Sequence, residues 1–202
     1  MIKIIGTSHI SRESVEQIKK SFQEHDFDLV AVELDKNRLS ALKAQKVGVT
    51  TRNPIALIIS AIQTYMSKKT GITPGTEMLT AVENAERFGI PVFLLDQDIS
   101  LTLKGLKEVS LKEKIKITGY TLLGLFGRRT VKFDITKVPS QEFVEYMLIN
   151  FKVMFPEFYN VLIEERNKYM VERIKKLEET YDDILVVVGA GHKPGMESLM
   201  ES

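Results

Sequence analysis

Four short apolar runs limit what this chain can fold into more than any other feature: residues 1–5 (MIKII), 29–34 (LVAVEL), 91–95 (PVFLL) and 184–188 (ILVVV). Each is the length of a buried strand, and segments of helical periodicity separate them. Strands joined through helices require parallel crossovers, and a parallel sheet must be covered on both faces. The expectation is an α/β fold: a mostly parallel or mixed central sheet of about four or more strands, helices on both faces, and a helical cap inserted before the last strand. The 202 residues fit one domain, 1–202, with 99–178 as the cap.

Local signals place the helices. Ser11 can accept the amide hydrogens of a first turn, and Val15, Ile18 and Phe22 recur at helical spacing before His25 and Asp26. Asp35 is expected to cap a helix carrying Leu39 and Leu42, and Pro54 to open one with an apolar stripe from Ile55 to Met66. Thr76 is expected to cap a helix stopped by Gly89. Beyond Asp96, the segments 99–109, 111–126, 142–154 and 157–178 read as helices, with Ser110 and Glu113 as a capping box. Ser140 and Pro156 mark further boundaries, 127–139 reads as a loop, and 189–195 reads as a turn. The stripe Phe143, Met147, Phe151 and Met154 is a core pattern with surplus apolar area, so a homodimer is expected.

Composition removes whole classes of function. Lys+Arg 28 against Asp+Glu 27 leaves a net charge of +1, without the basic excess of a nucleic-acid binder. With no cysteine there is no disulfide, thiolate nucleophile, Cys-ligated zinc or iron–sulfur cluster, so any metal must be held by His, Asp and Glu. The N-terminus turns polar after five residues, unlike a secretory signal. The longest uncharged stretch, 53–67, is shorter than the roughly 20 apolar residues of a spanning helix. No membrane span and a cytoplasmic location are expected of this chain, with membrane association if the natural protein is longer.

The chemistry gathers at the strand ends. The first and last runs both lead into G-x-x-H, as Gly6-Thr7-Ser8-His9 and Gly189-Ala190-Gly191-His192, which use two of the three histidines. On parallel strands both would emerge at one carboxyl edge, where open α/β sheets place ligands. The other runs end in Glu33-Leu34-Asp35 and Asp96-Gln97-Asp98. Asp35 and Asp98 precede helices and read first as caps. Glu33 lies inside an apolar run, where a carboxylate is costly to bury without a positive or hydrogen-bonding partner. Two imidazoles and one or two carboxylates there would suit a divalent metal.

These residues, with VELDKNR at 32–38, PGTEM at 74–78, AERFGIPVFLLDQDISLTLKGL at 85–106, EERNKYM at 164–170 and VVGAGHKPGM at 187–196, resemble the TraB/PrgY (pheromone-shutdown) family over essentially the whole chain. That family is related more distantly to the Tiki proteases and the EreA/ChaN-like proteins. The resemblance implies a site built from paired G-x-x-H motifs and two glutamates, which fall on His9, His192, Glu33 and Glu77. These four are the expected ligands of a divalent metal (Mn, Co or Zn), with Glu33 and Glu77 also the candidate catalytic bases. Arg38 and Arg166 match family positions and are candidates for binding substrate, as are the Gly189 and Gly191 backbones, which could stabilise an oxyanion. Gln97 stands where the family often has Arg, and Asn167 where it often has Asp, which leaves a charge network around the third strand and the long helix an open question.

Two functions follow. One is a metal-dependent hydrolase acting on a peptide or similar acyl bond. The other is a protein that sequesters a peptide or small-molecule ligand without turning it over. Anion binding at GAGHKPG lacks the phosphate-loop pattern, and a haem role suggested by the ChaN-like relatives would need a large apolar pocket that no run of residues establishes.

Overall fold

The computed structural model describes residues 1–8, 12–44, 75–126 and 140–202, with the backbone alone over 121–126. Four parallel strands, β1 (Ile2–Thr7), β2 (Leu29–Val32), β3 (Val92–Leu94) and β4 (Ile184–Gly189), form one sheet in the order β1-β4-β2-β3. β4, last in the chain, is therefore central, buried along its whole length and paired with both β1 and β2. Thr7 lies opposite Gly189 and Gly6 opposite Val188, so the two G-x-x-H strands are neighbours, offset by one ladder position.

Alternation along the strands divides the core. Val30, Val32, Leu185 and Val187 face a cluster with Ile18 and Phe22 of α1 (Arg12–Glu24) and Met78, Ala81, Val82 and Ala85 of α3 (Thr76–Phe88); Leu39 and Leu42 of α2 (Lys36–Lys43) pack at its margin. Leu29, Ala31, Ile184, Val186 and Val188 face Met170, Val171 and Ile174 of α8 (Glu165–Leu177) and Met196 of α9 (Lys193–Glu201). Both faces carry helices, as a buried parallel sheet demands, and each fully buried aliphatic side chain contributes about 1.5–3 kcal/mol.

Between β3 and β4 the chain is helical: α4 (Ile99–Glu108), α5 (Leu111–Phe126), α6 (Gln141–Met154), α7 (Pro156–Tyr159), a π-turn (Asn160–Glu164) and then α8. Val109, Phe155, Phe158 and Val161 form a third core there. Phe151 and Met154 of the expected stripe pack against this core, while Met147 is exposed together with Tyr146, Ile149 and Val153 on the rest of α6. No described helix is long and apolar enough to cross a membrane.

Capping follows the sequence at some ends and departs from it at others. Asp35 caps α2 through Asn37 and Arg38, Asp98 caps α4 through Ser100, and Ser140 caps α6 through Phe143. Thr76 does not cap α3. The cap is Gly75, whose φ of 90° suits glycine, and Thr76 is the first helical residue. Residues 193–195 are not turn but the start of α9. Half of the Ser110–Glu113 box forms locally, the Ser110 hydroxyl accepting from the Glu113 N–H at 3.4 Å, and the other half is exchanged between helices. The Ser110 N–H donates to Glu157 at 2.6 Å, while the Glu113 carboxylate accepts from the Glu157 and Phe158 N–H groups of α7 at 3.1 and 3.2 Å. A buried acid that satisfies two donors of another helix does more than one that closes on its own, which is why the local pattern misassigns it. The expectations for Ser11, the 55–66 stripe and the 127–139 loop lie outside the described residues.

Replacing Glu113 by Ala strands the buried Phe158 N–H and is expected to cost about 1–3 kcal/mol in urea unfolding. The hydrogen bonds from Ser110 hold the Glu157 carboxyl below its usual range. Its contribution is therefore present at neutral pH and lost as pH falls through that lowered value, so the stability gap between the parent protein and Glu157→Gln should close on acidification, as measured by unfolding at stepped pH.

Candidate functional site

The carboxyl ends of β2, β3 and β4 and the first turn of α8 meet in one buried ionic cluster. Glu33, one residue past β2, is only 3% exposed. One of its oxygens, Oε2, accepts from the Gly189 N–H at 2.6 Å, a bond between residues 156 positions apart. The other, Oε1, accepts from Arg166 and lies 3.3 Å from His192 Nε2. Asp96, two residues past β3, accepts from Arg166 Nε at 3.1 Å and Nη2 at 2.8 Å, and from Arg38 Nη1 at 2.9 Å. The charge network that Gln97 and Asn167 left open is thus present, built on Asp96 and Arg166.

Arg166 is the hub. Its donors reach Glu33, both Asp96 oxygens, the Leu162 carbonyl at 3.3 Å and His192 Nε2 at 2.9 Å. All five N–H groups of the guanidinium are used, leaving none for a substrate carboxylate. Burial by itself would depress the Arg166 pKa, but the charge of Glu33 and the hydrogen bonds and charge of Asp96 outweigh it and hold the value above the ordinary one. Arg38 differs: 39% of its side chain is exposed, and its bond to Asp96 leaves other donors facing outward.

The same hub assigns the histidine tautomer. Arginine can only donate, so His192 Nε2 accepts, and Nδ1 carries the proton that it donates to Asn167 Oδ1 at 2.7 Å. His192 Nε2 thus points its lone pair at Arg166 and lies 3.3 Å from Glu33 Oε1. Gly195 makes this possible, because a Cβ there would overlap Asn167 Nδ2. In the turn after β4, the Gly189 N–H is committed to Glu33, that of Ala190 to the Thr7 carbonyl and that of His192 to the Gly189 carbonyl. Only the Gly191 N–H of this turn lacks a partner among the described residues.

The structure thus brings together Glu33, His192, Arg166, Arg38 and Gly189 of the residues singled out from the sequence. Glu77 is buried in the first turn of α3, and His9 lies outside the described residues. Gly191 sits in the turn beside His192, where an added Cβ would meet only Leu148, at 3.9 Å. Asp96, Asn167 and Gly195 were not singled out for the site. Asp96 carries the same signal as Glu33, an acid at the end of an apolar run, whereas Asn167 and Gly195 declare themselves only through contacts across the fold.

Whether these residues suit a divalent ion can be tested on the donors. Glu33 Oε1 and His192 Nε2 lie 3.3 Å apart, and two donors each about 2.0–2.2 Å from a shared ion are roughly 3–3.5 Å apart. Asn167 on Nδ1 is the outer partner a ligating imidazole needs. Asp35 Oδ2 is buried without a hydrogen-bond partner among the described residues. Against these, Arg166 already occupies the Nε2 lone pair, and no group of three or more His, Asp or Glu side chains among the described residues is placed to hold a metal. Glu33 and His192 have the donor chemistry and spacing of two ligands, and among the described residues no third His, Asp or Glu completes a metal-holding group with them.

Arg166→Met should cost about 3–5 kcal/mol in denaturant unfolding, because it leaves two buried carboxylates unpaired, whereas Arg38→Met should cost under about 1 kcal/mol. Gly195→Ala should cost about 1–3 kcal/mol and change the His192 ring resonances in NMR, since Asn167 must withdraw.

A family model for TraB/PrgY/gumN matches residues 2–202. The chain is 33% identical to an uncharacterized protein of Methanocaldococcus jannaschii, over 96% of this chain and 52% of that protein. It is 23% identical to a TraB domain-containing protein of Bos taurus and 22% identical to one of Homo sapiens, each over 97% of this chain and 61% of the relative. The chain therefore spans between half and two thirds of the length of these relatives. It belongs to the TraB/PrgY/gumN family.

Proposed function

We propose that the carboxyl edge of this sheet is a metal-assisted hydrolytic site for a peptide or similar acyl bond. The observation that carries the reading is His192, positioned by Asn167, with its Nε2 3.3 Å from Glu33 Oε1 in a buried site. Glu33 and His192, with His9, would hold an ion such as Mn²⁺, Co²⁺ or Zn²⁺. When bound, it would supply Lewis acidity toward the acyl carbonyl and toward an attacking water.

The remaining roles fall to the protein's own groups. Both Glu33 oxygens are engaged, so Glu33 serves as ligand and the proton of the water passes to Glu77 as general base. The Gly191 N–H is the oxyanion donor, because its neighbours in the turn are committed elsewhere. Arg38, partly exposed and held by Asp96, receives a substrate carboxylate. Arg166 neutralises Glu33 and Asp96 and must yield the Nε2 lone pair when an ion enters.

That competition also favours a second reading, sequestration of a peptide or small ligand without turnover: as it stands, two guanidiniums balance two carboxylates, and the cluster is electrically complete. The two readings separate by mutation. A hydrolase predicts that Glu77→Gln retains the metal and loses at least about 10² in kcat, while His192→Ala loses the metal itself. The measurement is metal quantification beside cleavage of a peptide library with added Mn²⁺, Co²⁺ or Zn²⁺. Absence of turnover with every metal, with ligand binding undiminished in Glu77→Gln, would leave sequestration.

A further inference from the structure

The outer edge of β1 is the second feature of this molecule built to receive something. The Met1 and Thr7 carbonyls accept from the N–H groups of Ile184 and Ala190, on the side of β4. Because backbone groups alternate direction along a strand, the N–H and C=O groups of Ile2, Ile4 and Gly6 point to the opposite edge. There they have no partner among the described residues, and β1 pairs with β4 alone. Beside that edge runs a groove of about 410 Å³, walled by α1, the start of α6 and the start of α9.

The groove is charged. Lys3 on the strand, Lys20 on α1 and Lys193 on α9 line it against one acid, Glu24. Lys20 and Lys193 have exposed or half-exposed partners in Glu24 and Glu197, while Lys3 has no ion-pair partner among the described residues. At its carboxyl end the groove reaches Gly6, Ala190 and Lys193, and Lys193 directly follows His192. A Cβ on Gly6 would press on Lys193 and Ala190 at 3.2 and 3.3 Å, so glycine keeps that end open.

We propose that this edge binds an extended acidic peptide by strand addition. Main-chain hydrogen bonds to Ile2, Ile4 and Gly6 would supply the affinity, and the three lysines would select acidic side chains. A second copy of this chain is the poorer occupant, since pairing β1 with itself sets lysine against lysine. The assignment deepens the hydrolytic reading, because a segment laid along β1 leads to the turn that carries Gly191 and His192, and it rests on that reading only for calling the segment a substrate. Its test is binding alone, in chelator-treated protein, so each can fail without the other.

The probe is a capped, fluorescein-labelled peptide of alternating Glu and Val, seven residues long, followed by fluorescence anisotropy. Binding should weaken by about tenfold or more for the Lys/Val counterpart and for Lys3→Glu, whose half-buried site tolerates the change, as circular dichroism would verify. N-methylation of alternate peptide residues provides a control that leaves the protein untouched. One set of methyl groups points at β1 and should abolish binding, and the other points away and should leave it within about threefold. Equal affinity for the two charge forms, equal effects of the two methylation sets, or a free dimer that the peptide converts to monomer would each overturn the proposal.

Discussion

The Arg166 guanidinium holds this molecule's chemistry in one place. Three strand ends deliver an acid, an acid and an imidazole to the same edge, and without a fixed cation between them two carboxylates could not stay ionised out of water. The planar fork answers this with geometry that an ammonium lacks. It grips Asp96 through two donors, Glu33 through one, and turns its remaining edge to His192 and the Leu162 carbonyl. Because these partners come from β2, β3, the π-turn and the loop after β4, the arginine also ties the helical segment to the sheet. Charge neutrality, tautomer and tertiary position are here a single constraint.

Much of this was legible in the residues. The strands, their parallel sense and the cover on both faces follow from four apolar runs separated by amphipathic segments, whereas the central place of β4 appears only in the sheet order. Glu33 is legible because burying an acid demands a partner. What could not be read is who the partner is. Arg166 looks like one of many helical charges until the π-turn and α8 aim it at the sheet, and Asn167 and Gly195 meet only in three dimensions. The capping box shows the same limit. Ser110 and Glu113 have the right spacing, but the choice between closing locally and capping α7 depends on a helix that lies 44 positions away.

The two departures from family pattern have an electrostatic meaning. The asparagine at 167 takes the Nδ1 proton of His192 at 2.7 Å as a neutral acceptor, which adds no third carboxylate and leaves Nε2 to accept from Arg166. Gln97, where an arginine is common, instead bonds to the Thr102 hydroxyl at 3.0 Å and adds no third cation beside Asp96. The cluster therefore balances with two guanidiniums and two carboxylates.

The π-turn at Asn160–Glu164 sets a rotational phase. Phe158 before it and Val161 in its first half must face the third core; downstream, Met170 and Ile174 must face the sheet, with Arg166 and Asn167 directed at its edge. In an unbroken α-helix each residue advances by about 100°, so one phase would serve both cores only by coincidence. The wider turn supplies the missing angle. Two packing surfaces that are separate in the sequence pattern are thereby geared together, and the length of this short stretch sets the angle at which the arginine meets its acids.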